Sequence, residues 1–211
     1  MRYLIVIVLF FCISCGNKEE ILLPKAAETI VKEVDDLSPI YIFFRVKGKD
    51  TLAEVNRKNS IITTNWILNI DKRLPLRSVI PEVMKLQQRK REEKDHVNEK
   101  AENFYSYADS IGKNLAFIPF TKVYYKMEKP NLEVLIYFTK NSSILVNGKT
   151  IPKIDLEQYL KNLPSDKPNK FILCFDKNSS FESYIQNKIF IKSLMITKKG
   201  ISFDENREFI F

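Results

Sequence analysis

The hexapeptide ILNIDK at Ile67 to Lys72 returns as ILCFDK at Ile172 to Lys177, with two changes, 105 positions later (176 − 71 between the aspartates). In both copies an apolar, β-prone run stops at an acid–base couplet. Helical spacing then begins: Leu76, Val79, Ile80, Val83 and Met84 after the first copy, and Phe181, Tyr184, Ile185 and Ile189 after the second. Each apolar helix stripe needs a sheet to cover, so the doubled strand-to-helix corner constrains the chain to a duplicated α+β plan. With 211 residues, 45% of them hydrophobic, the chain is long enough for two small domains.

The runs around the corners extend this plan. Ile40 to Val46 (IYIFFRV), bounded by Pro39 and Gly48, reads as a strand. It ends in Val-Lys-Gly-Lys at 46–49, as a later run ends in Val-Asn-Gly-Lys at 146–149. From that element to Asp-Lys there are 25 positions in the first half and 30 in the second, a difference that one loop absorbs. Asn147-Gly148 predicts a tight hairpin turn. Asp155 predicts a cap for a helix carrying Leu156, Tyr159, Leu160 and Leu163, with the short TLAEV at 51–55 as a degenerate counterpart. Ser179 and Glu182 stand in capping-box register for the later helix. LAFIPF at 115–120 and IKSLMI at 191–196 read as strands closing each half. Gln87 to Gly112, rich in mixed charges, reads as a long helical extension with Phe104, Tyr107, Ala108 and Ile111 inward, either a solvated helix or a partner-binding arm. The expected division is 1–14 leader, 15–39 tether with at most a short helix, 40–128 first α+β unit with the extension, and 129–211 second α+β unit.

The leader sets the address. Arg2 is followed by eleven apolar residues, then Ser14-Cys15-Gly16 and the polar NKEE. This is the pattern of an export signal, and the run is shorter than the roughly 20 residues a spanning helix requires. The boundary resembles the lipobox of bacterial lipoproteins, with Cys12 where a branched aliphatic residue is usual. The resemblance implies that Cys15 is the lipid-attachment site, acylated with palmitate-type chains as the new N-terminus. An ordinary cleaved signal and an uncleaved anchor are the competing readings. By further resemblance, Gly16 and the acidic NKEE favour the outer membrane, on the periplasmic side or the cell surface. Processing would leave Cys174, inside FILCF, as a small buried hydrophobe with no partner for a disulfide. Loss of residues 1–14 removes only Arg2 among charged residues and takes the formal charge from +8 to +7. In an exported protein such charge points to a solvated surface, anionic headgroups, wall polymer or an acidic partner, not to nucleic acid.

The stretch NIDKRLPLRSVIPEVMKLQ, Asn69 to Gln87, resembles the periplasmic domain of the ExbD/TolR family. That signature is a strand ending in Asp-Lys, then Pro-Tyr, then a helix with paired valines and Val-Met. Asp71, Lys72, Pro75, Val79, Ile80, Val83 and Met84 stand in matching places, with Leu76 for the aromatic; the second half keeps Asp176 and Lys177 but has Ser180 and Phe181 for Pro-Tyr. The resemblance implies two tandem units, each a small sheet with helices packed on one side, and by analogy a possible homodimer. The family's motor subunits need a membrane helix with a proton-carrying aspartate, which residues 3–14 do not supply.

Catalytic material is sparse. The single histidine, His96, lies in a charge run, there is no glycine-rich phosphate loop, and Asp35-Asp36 and Glu92-Glu93 fall in polar segments. Asp71, Lys72, Asp176 and Lys177 read as a structural corner, the aspartates accepting backbone N–H groups and the lysines facing solvent; an acid and base on a ligand-facing edge is the functional alternative. TKVYYKMEK, 121–129, reads as a strand joining the halves or as a sticky edge. The sequence therefore predicts a non-enzymatic outer-membrane lipoprotein, without cofactor or metal, that binds an envelope protein or peptidoglycan. Alternatives are an accessory subunit of a TonB-type biopolymer transport system in the inner membrane, and a surface hydrolase whose carboxylates converge in a concave site.

Overall fold

The computed structural model describes residues 20–93, 98–131, 135–163, 170–197 and 201–211. They form an α+β protein with two mixed six-stranded sheets. The first sheet holds β1 (Lys25–Ala26), β2 (Leu37–Lys47), β3 (Asp50–Asn56), β4 (Asn65–Ile70), β5 (Asn103–Asp109) and β6 (Asn114–Pro119), with helix α1 (Leu76–Glu92) between β4 and β5. Its order is β3-β2-β4-β5-β6, and β1 pairs in parallel with the end of β5. The second sheet holds β7 (Tyr124–Lys126), β8 (Leu135–Phe138), β9 (Ile144–Val146), β10 (Lys149–Ile151), β11 (Lys170–Phe175) and β12 (Ser202–Ile210), in the order β10-β9-β8-β11-β12-β7. Helix α2 (Leu156–Lys161) precedes β11, and α3 (Phe181–Thr197) links β11 to β12.

The two units share one plan. An antiparallel hairpin (β2–β3, β8–β9) lies beside a parallel strand (β4, β11), and a 17-residue helix (α1, α3) leads to a second parallel strand (β5, β12). The repeated hexapeptides are β4 and β11, and their side chains alternate alike. Leu68 and Ile70, like Leu173 and Phe175, enter the main core, whereas Ile67 and Ile172 face the opposite side.

That core is continuous across both units. It takes in Val79, Ile80 and Val83 of α1 together with Phe181, Tyr184 and Ile185 of α3. Aromatic rings fill the junction: Tyr105 stacks on Phe120 at 3.8 Å between centroids, Phe181 meets Tyr105 edge-on at 5.3 Å, and Tyr184 meets Phe175 edge-on at 4.9 Å.

Several expectations are corrected. The segment expected as a tether is docked: β1 lies on β5, Val31 bridges to Phe117, and Val31 and Val34 pack over Ile67, Phe104 and Phe117 on the face of the first sheet away from the main core. The helical extension ends at Glu92. Phe104, Tyr107 and Ala108 belong to strand β5, where apolar cover on both faces replaces the alternation that a half-buried strand displays. Residues 191–196 continue α3, because Ile191, Leu194 and Met195 fall at helical spacing against the core; the closing strand is β12, which was not expected. TLAEV is not helical but lies in β3, after a turn at Gly48 with φ +64°. The two Val-x-Gly-Lys elements are not equivalent, since Asn147 and Gly148 (φ 50° and 82°) turn β9 into β10, whereas the counterpart of the β2–β3 hairpin is β8–β9. Asp155 stands at the start of α2 without a side-chain bond to the helix, and Leu156 and Leu160 are buried as expected. Strand β7, within the 40–128 span expected for the first unit, pairs with β12 of the second sheet.

Candidate functional site: the paired corners and a charge-balanced cleft

The two Asp-Lys corners meet. The Leu76 N–H donates to the Ser179 carbonyl at 2.9 Å and the Phe181 N–H to the Leu74 carbonyl at 2.8 Å. Around them the Arg77 N–H donates to the Lys177 carbonyl at 2.8 Å and the Glu182 N–H to the Lys72 carbonyl at 3.2 Å. Adding 105 to the donor's number and subtracting 105 from the acceptor's turns each bond of the first unit's donors into its partner bond, so the contact has local two-fold pseudosymmetry about the Pro75–Ser180 bridge.

Each aspartate turns the backbone in the same way. The Asp71 carboxylate accepts the Arg73 N–H at 3.0 Å, and that of Asp176 accepts the Asn178 N–H at 2.8 Å. This is the local turn chemistry of a short carboxylate side chain. Their surroundings differ. Asp71 is buried and held by a two-pronged Arg73 guanidinium, Nε at 2.8 Å and Nη2 at 2.7 Å. Burial works against its charge, but the Arg73 bonds and the Leu22 N–H outweigh it and hold the carboxyl below its ordinary range. Lys72 pairs with Glu182 across the unit boundary at 3.2 Å, and Lys177 is exposed.

A cleft of about 550 Å³ lies between the connector at 119–123 and the second unit. Its apolar lining includes Phe120, Val123, Leu173, Ile191, Met195 and Phe203. Among the described residues its charged lining is four lysines, 122, 170, 188 and 192, against four carboxylates, 102, 204, 205 and 208, so these described charges balance in a chain of formal charge +8. Lys188 and Glu208 are both buried and ion-paired. Lys192 pairs with Glu205 at the rim. Asp204 is bonded by the Arg207 Nε at 2.7 Å and lies 3.8 Å from Lys170. Burial opposes the Asp204 charge, but Arg207 and the Asn206 N–H overcome it and keep the carboxyl low.

A buried hydroxyl chain runs from the cleft into the junction. Tyr184 donates to Glu208 at 2.7 Å; the Tyr125 and Tyr184 hydroxyls lie 3.1 Å apart, and those of Tyr105 and Tyr125 2.8 Å apart. Burial pushes all three phenols well above their ordinary value. The chain joins both sheets through β5, β7, α3 and β12.

Of the residues singled out in the sequence, Asp71, Lys72, Asp176 and Lys177 are brought together at the corners and stand apart from the cleft lining. Cys15 and His96 lie outside the described residues. Cys174 is buried and its thiol is pushed up to about 12 by burial. Tyr124 of the aromatic–lysine stretch is exposed beneath the Arg91 guanidinium, 4.0 Å from its ring, while Tyr125 turns inward. The cleft itself went unread. One signal pointed to it: Lys188 sits four residues after Tyr184, on the same apolar stripe of α3, and a charge on a buried stripe calls for a partner.

Among the described residues no group of three or more His, Cys, Asp or Glu is arranged to hold a metal ion, and no helix is long and apolar enough to cross a membrane. No family model, curated protein or solved structure matches this chain.

Proposed function

We propose that this protein is a lipid-anchored module of the bacterial outer membrane, held through Cys15, that binds an envelope protein or peptidoglycan without catalysing a reaction. The observation that carries this reading is the cleft of about 550 Å³, within the 300–1,000 Å³ typical of ligand sites and lined by apolar and charged groups together. Carboxylates do converge there, as the hydrolase alternative requires. Asp204, Glu205 and Glu208 are engaged by Arg207, Lys192 and Lys188, and Asp204 is held low, which disfavours it as a proton donor near neutral pH. The doubled unit supports a structural kinship with ExbD/TolR-like domains only at the level of strand-to-helix corners, and fold alone does not assign their motor function.

The reading is tested by crosslinked pull-down from intact envelopes, scored for wall fragments and protein partners, with Cys15→Ser and a Phe203→Asp cleft variant in parallel. Cys15→Ser is expected to leave the membrane fraction while still binding. Phe203→Asp is expected to stay at the membrane and lose the partner. Recovery of the same partners by both variants and the unaltered protein would overturn the cleft as the site, and fractionation with the inner membrane would favour the transport-subunit alternative.

A further inference from the structure

The cleft's charge balance points to the chemistry of its ligand. We infer that it takes a zwitterion, a free amino acid or short peptide carrying both an ammonium and a carboxylate beside an aliphatic side chain. This rests on the reading of the cleft as the binding site.

Three observations converge on that class. First, among the described residues the four lysines and four carboxylates of the lining cancel, within a chain whose formal charge is +8. A lone anion such as phosphate would meet as much repulsion as attraction, and so would a lone cation. A ligand with one charge of each sign finds a partner for both. Second, the buried pair at the cleft retains bonding capacity. Lys188 has three N–H donors and gives one to Glu208; Glu208 accepts from Lys188 on one oxygen and from Tyr184 on the other, leaving further lone pairs. A ligand carboxylate can therefore bond Lys188, and a ligand ammonium Glu208, without breaking the pair and stranding a buried charge. Third, Leu173, Ile191, Met195 and Phe203 supply an apolar wall in the same cleft, which suits an aliphatic side chain.

The hydroxyl chain makes the floor rigid. Tyr184 fixes one Glu208 oxygen and is itself held by Tyr125 of β7, which in turn meets Tyr105 of the first sheet. The carboxylate is thus preorganised, and little ordering cost falls on binding.

The test uses the mature lipidated protein in detergent micelles and isothermal titration with three probes: trialanine with free termini, N-acetyl-trialanine amide, and inorganic phosphate. Free trialanine is expected to bind, the capped peptide at least about tenfold more weakly, and phosphate not measurably. Lys192→Gln and Glu205→Gln at the rim should each weaken free trialanine while leaving the fold unchanged by circular dichroism. Lys188→Met with Glu208→Gln should abolish its binding. Equal binding of free and capped peptides, or phosphate competing with trialanine, would overturn the zwitterion assignment. If in that case the Phe203→Asp variant still loses its envelope partner, the cleft keeps its role and only the ligand class falls. No binding of either peptide together with unchanged envelope partners in Phe203→Asp would sink both.

Discussion

Asp71 and Asp176 make the same backbone bond in different company, and that difference sets what each is worth. Asp71→Ala removes the turn bond and leaves the Arg73 fork without its partner, a loss of about 2 kcal/mol, whereas Asp176→Ala removes one half-exposed turn bond, about 1 kcal/mol or less. Urea denaturation of the two variants checks the ranking. Protonation acts on the same residue. Because the folded Asp71 and Asp204 carboxyls lie below their unfolded value near 3.8, their stabilisation is present above that value and lost as pH falls through the folded one. The tyrosines act at the other end of the scale. Tyr105, Tyr125 and Tyr184 have folded pKa values raised above 10, so they stabilise fully below pH 10 and less as rising pH ionises the unfolded phenols. Stability should therefore fall above about pH 10. Tyrosinate absorbance should rise in two stages, the second coincident with loss of ellipticity.

At the scale of elements, the sequence was most legible where one periodicity ran unopposed. β2, β4, β6, the Asn147-Gly148 hairpin and the starts of α1 and α3 follow from apolar runs, turn residues and helical spacing. It was least legible where burial came from both sides. Strand β5 is covered on one face by the main core and on the other by Val31 and Val34, so its NFYSYAD run shows no alternation, and the charged residues before it invited a helix. Cap position depended on a one-residue choice that pattern alone does not make. Helix α3 begins at Phe181, and it is Ser180 whose hydroxyl accepts the Ser183 N–H at 3.2 Å, while Glu182 turns to Lys72. Ser180→Ala should cost about 1 kcal/mol, and Ser179→Ala should leave that cap intact. The cleft depended on β12, whose SFDENREFI mixes four charges with apolar residues and concealed Glu208 as a core carboxylate. Thermal melts of the two serine variants separate the cap assignments.

At the scale of the whole molecule, the two units of like plan are not two independent domains. The main core is continuous, β7 follows the first unit yet completes the second sheet, and the corners bond to each other. Residues 20–121 and 122–211 expressed separately should each lack a cooperative transition, while the intact chain unfolds in one. Calorimetry and amide-proton dispersion of the three polypeptides decide this, and a cooperatively folded fragment would contradict it. The corner surfaces already satisfy one another, so any homodimer has to use a different face. The same arrangement ties down Leu22 and Phe211. The Leu22 carbonyl accepts the Lys72 N–H at 2.7 Å and the Phe211 carbonyl accepts the Lys177 N–H at 3.1 Å, which fastens the two ends to neighbouring corners. Leu22 and Phe211 can thus be bridged by a modest flexible linker and new ends opened at the Gly48 hairpin, giving a circularly permuted polypeptide that keeps every sheet. A bulky reporter placed directly behind Phe211, by contrast, would sit beside the Lys177 corner and press on the Tyr137 ring that stacks on Phe211 at 5.0 Å.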